Sequence, residues 1–313
     1  MELSDFLVYD LWLTDIKGIG PAGQHQLLDA FGFPDSIYNA SEGDLADAGI
    51  SEKRRKLVLE ARDLDSAKKR LEECRRLGIF LLTNRDEIYP EHLRYNPDMP
   101  VLLYGKGNAE LFDPDEDMGV DLEEKWQPFG PEYAAKHRKV NADGTVQKNP
   151  LDWWFEDEPL INYPNRKVGV VGARRCTRED KEKCINTVKR IGEDLPGAII
   201  ISGGAKGIDG YSHTAAIKNG LRTIAFIGTG PDINYPKEHA GLFEQICEHG
   251  MILSEYPPGT EARPFHFPRR NRLIAGWSDE MYIIGAGRNS GTNITKQYFE
   301  KYHGGRFRSH LGE

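Results

Sequence analysis

Five short runs rich in branched apolar residues, Val168 to Val171, Ala198 to Ile201, Thr223 to Ile227, Met251 to Leu253 and Met281 to Ile284, alternate with stretches long enough for a helix. A strand with consecutive apolar side chains must be covered on both faces, and parallel neighbours need a crossover that a helix supplies. The alternation therefore predicts an α/β chain with a parallel sheet and helices on both faces. Sheets of this kind bind ligands outside the carboxyl ends of their strands. Every motif described next follows one of these runs.

After the first run comes Gly172-Ala-Arg-Arg-Cys-Thr177, a small-residue turn carrying Arg174. It lacks the second half of a G-x-G-x-x-G fingerprint, so no dinucleotide cofactor is called for. The second run leads into Ser202-Gly-Gly-Ala-Lys-Gly-Ile-Asp209. Gly203, Gly204 and Gly207 imply positive φ or close approach to the backbone, and Ala205 and Lys206 complete a turn suited to phosphate at a helix start. Asp209 and His213 are read as a cap and its support, since an Asp and a His alone make neither a metal site nor a triad. The third run precedes Gly228-Thr-Gly230 and Tyr235-Pro236; Tyr235 is either a flat face for a base or part of a rigid turn. The fourth leads through Glu255 to Phe267-Pro-Arg-Arg-Asn-Arg272, where Arg269, Arg270 and Arg272 oppose the dipole of the helix they begin. Glu255 can pair with one of them but not satisfy three, so a polyanion is the natural partner.

The net charge of −8 is unevenly spread. Residues 1–108 sum to −5, residues 109–166 to −8 and residues 167–313 to +5. An anionic ligand thus fits the last part best. The four cysteines (Cys74, Cys176, Cys184, Cys247) are widely spaced, which argues against a zinc site and for free thiols in a reducing compartment. No segment has the ~20 apolar residues of a spanning helix, so a soluble, cytoplasmic protein is expected.

Residues 1–78 read as helical. Leu11 to Leu28 carries a helical period broken by Gly18-Ile-Gly20-Pro21, and Asp63 to Leu77 is a charged amphipathic helix. The break is a helix-hairpin-helix turn, either facing a DNA phosphate or simply joining packed helices. Residues 79–108, with strands at Ile79 to Leu82 and Val101 to Tyr104, lead into the sheet. Residues 109–166 combine acidic runs with Trp153-Trp-Phe155 and form an insertion or linker that packs in part on a domain.

The order G-A-R, S-G-G-A-K-G-I-D-x-x-x-H, G-T-G-x-D-x-x-Y-P, S-E-Y-P-P-G, F-P-R-R-N-R-L-I-A-G and S-G-T-x-I-T closely resembles the DNA-processing protein A family, also called Smf. The resemblance spans about Lys167 to Thr295. It implies an extended Rossmann-like domain over 167–313 behind a small helix-hairpin-helix or SAM-like domain. It also implies a homodimer that binds single-stranded DNA, protects it, and loads a RecA-type recombinase in natural transformation and recombination. Carried over, the DNA contacts fall on Arg174, Lys206, Arg269, Arg270 and Arg272. Gly172, Ser202, Gly203, Gly204, Ala205, Gly207, Gly228 and Gly230 would form a phosphate-binding floor, supported by Asp209, His213, Tyr235, Glu255 and Asn271. The family usually carries Gly where Asp180 stands and an acidic residue where Gly285 stands. Its pattern runs past Glu313, so the final strand is expected to be missing. No catalytic residue, metal or cofactor is expected. The rivals are an enzyme cleaving the base from nucleoside monophosphates, with Glu255 or Asp209 as its carboxylate, and a nucleotide-sensing defence module.

Overall fold

The computed structural model describes residues 3–112, 165–285 and 291–303. Residues 113–164, with Trp153 to Phe155, and residues 304–313 lie outside them. The chain begins with α1 (Leu3–Asp15), α2 (Pro21–Phe31), α3 (Pro34–Asn39), α4 (Glu42–Asp47), α5 (Glu52–Glu60) and α6 (Asp65–Arg76). Local chemistry sets the boundaries. Pro21 opens α2 where its missing N–H costs nothing, and Ser41 closes a capping box with Asp44 at the start of α4. Between α1 and α2, Gly18 adopts φ +89° while Ile16 and Ile19 turn into the helical core. The short α3, α4 and α5 have no individual counterpart in the sequence reading.

Seven strands form one sheet in the order β1-β2-β6-β5-β4-β3-β7: β1 (Phe80–Thr83), β2 (Leu102–Gly107), β3 (Lys167–Gly172), β4 (Ile199–Gly203), β5 (Arg222–Phe226), β6 (Gly250–Ser254) and β7 (Glu280–Ile284). The last five are mutually parallel, with Val168 beside Ile200, Ile201 beside Ile224 and Val170 beside Tyr282. The β1–β2 pair extends this sheet antiparallel along β6, so the whole sheet is mixed. From β3 the chain steps outward to β6, then returns to place β7 on the other side of β3. The strand order therefore reverses at β3, which opens a crevice at the strand ends.

Alternation along the strands sorts the core. Ile199 and Ile201 face α10 (His266–Trp277) and α11 (Gly291–His303), whereas Ile200 faces α7 (Arg178–Asp194) and α8 (Ile208–Lys218). On the second face α9 (Ala240–His249) packs Phe243 and Ile246 over Ala225 and Ile252. Strand β2 ties the helical region to the sheet by the same rule: Leu103 joins the sheet core while Leu102 and Tyr104 join the α1–α6 core. All four cysteines are free, and burial pushes the Cys184 thiol up to about 12. Among the described residues no helix is long and apolar enough to cross a membrane.

His213 on α8 is fully buried and ties two strands: Nε2 is hydrogen-bonded with the Gly203 carbonyl (3.0 Å) and Nδ1 with the Thr223 hydroxyl (2.7 Å). Burial lowers its pKa from 6.5 to about 4. The unfolded chain therefore takes up this proton first, and stability is whole above pH 6.5 and declines as the pH falls towards 4. The His213 share of that loss is up to roughly 3 kcal/mol. Urea midpoints at pH 7 and pH 4.5 should fall less for His213→Gln than for the parent protein; equal falls would show that His213 does not carry the acid sensitivity.

Candidate nucleic-acid interface

The segment with three arginines is the first part of α10, which starts beside Phe226 and Gly228 at the carboxyl ends of the parallel strands and then runs over the sheet face. Successive helical residues diverge by about 100°, so adjacent arginines cannot share a direction. Arg269 is half exposed and forks onto Glu255, from Nε to Oε2 (3.2 Å) and from Nη2 to Oε1 (2.7 Å). Arg272 is 5% exposed; it donates to Glu255 Oε1 (2.7 Å), the Asp98 carbonyl (2.7 Å) and the Arg269 carbonyl (3.2 Å). Arg272 thus faces inward and is unavailable to a ligand, contrary to its expected DNA contact. Glu255 also exceeds its expected role, since it holds two of the three arginines.

Arg270 takes the remaining direction. It is 3% exposed, its Nη1 donates to the Phe226 carbonyl, and its buried Nε has no partner among the described residues. Burial lowers its pKa to about 10, with Asp209 opposing that shift and Arg174 adding to it. The guanidinium lies where a Gly203 side chain would be, which is the reason for glycine at that position. Asp209 is buried as well. Desolvation raises its pKa against the pull of Arg270, the Ala205 amide and Arg174.

The glycine floor differs from its expected form. Ser202 is wholly buried and donates to the Val170 carbonyl (2.6 Å). Asp209 already takes the Ala205 amide, and the Ile208 amide donates to the Ala173 carbonyl (3.1 Å). A side chain on Gly207 (φ +85°) would strike the Ala173 and Arg174 carbonyls, and one on Gly230 would meet the Pro257 carbonyl at 2.6 Å. The protein packs against itself at these glycines. Of the expected floor, Gly172, Gly204, Ala205 and Gly228 line the two clefts described next, while Ser202, Gly203, Gly207 and Gly230 line neither.

That space is two adjoining clefts. One, of about 440 Å³, lies at the β3 crossover between Gly172, Arg174, Asp209, Arg270, Asn271 and the first turn of α11. The other, of about 210 Å³, lies between Arg174, Arg175, Lys206, Tyr235, Phe267 and Arg270. Arg174, Ala205 and Arg270 border both. Arg174 is exposed and stands over the Phe267 ring at 5.4 Å, and Asn271 donates to the Gly291 carbonyl (3.3 Å). Lys206 is paired with Glu238 at 2.8 Å, which lowers the Glu238 pKa. Sequence reasoning missed Glu238, which follows Tyr235-Pro236 without any motif, and Arg175, which reads as half of a solvated pair. Thr292 and Thr295 of the S-G-T-x-I-T motif, at the start of α11, border the larger cleft without having been expected there. Among the described residues no cluster of three or more His, Cys, Asp or Glu could hold a metal.

The arginines should separate on truncation. Arg272→Ala leaves Asp98 and a nearly buried Glu255 short of donors and should cost about 3–5 kcal/mol. Arg269→Ala leaves Glu255 with Arg272 and should cost under about 1 kcal/mol. Urea unfolding of the two variants checks this; equal losses would refute the assignment.

Comparison with known proteins gives these features a family. DNA processing protein DprA of Streptococcus pneumoniae is 42% identical over 136 residues, 44% of this chain and 46% of that protein. The chain therefore matches about half of that relative's length. The X-ray structure of DNA processing protein A from S. pneumoniae superposes with a TM-score of 0.65 at 26% identity, covering 99% of this chain and 87% of that one. A structure of DNA processing protein A from Helicobacter pylori, described as showing a single-stranded DNA binding mode, shares the fold with a TM-score of 0.50 at 23% identity, over 74% of this chain and 80% of that one. The family model described as DNA recombination-mediator protein A matches residues 131–303, more than half of the sequence, and the chain belongs to that family.

Proposed function

We propose that this protein binds single-stranded DNA by its sugar-phosphate backbone in the paired clefts, as a DNA-processing protein without catalytic turnover. The observation that carries this reading is convergence: Arg174, Arg175, Lys206 and Arg270 border two adjoining clefts, against two carboxylates, Asp209 and Glu238, beside them. Such a surface favours a chain of phosphates over a single one. It reads no base edges, so little sequence preference is expected. Protection of incoming strands, a homodimer and delivery to a RecA-type recombinase complete the reading, and these rest on the family resemblance. Base removal from mononucleotides is disfavoured because both Glu255 oxygens are spent on arginines and Asp209 is held by Ala205 and Arg270.

Fluorescent oligonucleotides of increasing length, single-stranded and duplex, titrated at two salt concentrations test the proposal. Affinity should rise with length and fall with salt, with a slope in log–log form of about −0.7 per phosphate contacted. Arg174→Ala and Lys206→Ala should each weaken binding and reduce that slope by about 0.7. Their melting temperatures should stay close to the parent value, because exposed cations contribute little to folding. Binding that ignores salt, or that a mononucleotide saturates as well as a long strand, would overturn the proposal.

A further inference from the structure

The smaller cleft carries a feature that backbone binding does not use. Among the described residues Tyr235 is one of the few large apolar side chains left substantially exposed, 47% in relative terms. One side of its ring is supported by Phe267, at a centroid distance of 5.3 Å and an angle of 35°. The same Phe267 ring carries the Arg174 guanidinium at 5.4 Å. Phe267 is itself fixed, since it lies against Gly228, where a side chain would come within 3.1 Å of its ring. One anchored ring therefore holds an open aromatic face and a cation with no ion pair among the described residues as neighbours on the wall of one cleft. Lys206 and Arg270 border that cleft too.

We infer that Tyr235 is a base-stacking residue, and that it makes the cleft selective for unpaired strands. The inference rests on the single-strand reading above and adds to it a contact with the base. A nucleotide presents a flat π-face one sugar away from a phosphate. The Tyr235–Phe267–Arg174 arrangement offers a flat ring and a cation as immediate neighbours. Every base has such a face, so the contact adds affinity without sequence preference. In a duplex the face is covered by the adjacent base pair, and stacking on Tyr235 would require unpairing. The cations grip either form; the ring distinguishes them.

The test uses the full chain and three probes of equal length: a natural single strand, an abasic strand with the same phosphates, and a duplex. The parent protein should bind the natural strand about tenfold more tightly than the abasic one, the worth of roughly one stacked base. Tyr235→Ala should bring the natural strand down to the abasic level while leaving abasic and duplex affinities unchanged. Tyr235→Phe should restore the difference. The half-exposed ring can be removed without a core cavity, and unchanged melting would confirm that the fold survives. Equal loss on natural and abasic strands, or no loss on either, would overturn the stacking role while leaving backbone binding intact. Failure of the parent protein to bind either strand would overturn both readings. Loss in Arg174→Ala with full retention in Tyr235→Ala would overturn only this one.

Discussion

A single carboxylate fixes the helix on which the clefts depend. Glu255, just past the end of β6, receives the Arg269 fork and one arm of Arg272, and Arg272 continues to the Asp98 carbonyl. A buried ion pair is a poor source of net stability, because desolvation offsets most of its attraction. Its value here is orientation. With Arg269 and Arg272 anchored on the β6 side, helical geometry leaves Arg270 pointing across Gly203 and the end of β5. The cation that borders both clefts is thus placed by its neighbours, and its own exposure of 3% gives no hint of that role.

Much of this was legible in the sequence for a definite reason. Buried parallel strands need apolar side chains on both faces, so each of the five runs coincides with a strand, and the loops after them share one edge. The β1–β2 edge was harder, because Ile79 to Leu82 and Val101 to Tyr104 are short and antiparallel pairing leaves no mark in either run. The arginines show a different limit. Their spacing establishes that they diverge, but which one faces the cleft depends on where Glu255 and Asp98 lie, and those are contacts over 14 to 174 residues. The glycines misled in an instructive way. Close approach was required, as the sequence implied, yet the approaching group is a carbonyl or guanidinium of the protein itself.

Two departures from the family pattern turn out to be one. Gly285 adopts φ +65°, and a side chain there would come within 2.8–3.0 Å of the Asp180 carboxylate. Asp180 in turn closes the capping box of α7, accepting from the Thr177 amide (2.9 Å) and hydroxyl (2.8 Å). Where the resemblance leads one to expect glycine at the first position and an acid at the second, this chain has the reverse. In this chain the carboxylate that lies beside Gly285, just past the end of β7, belongs to Asp180. An acid at both positions would set two carboxylates against each other.

The electrostatics of the clefts bear on the proposed backbone binding. Arg174 and Arg270 border the same space, and each like charge disfavours the other; Arg174 contributes to the lowering of the Arg270 pKa. Asp209 offsets part of this, but it is buried and its own charge is disfavoured by desolvation. A pKa near 10 still leaves Arg270 protonated at neutral pH, so the repulsion persists in the unliganded protein. A phosphate between the two arginines would replace that repulsion with two attractions, the one to buried Arg270 screened least by water. Lys206 behaves in the opposite manner. Its pair with Glu238 is exposed, and since exposed pairs are worth about 0–1 kcal/mol, exchanging it for a phosphate would cost little. The buried cation thus supplies a fixed charge and the exposed one an adjustable charge, a division suited to a backbone whose phosphates arrive in no fixed register.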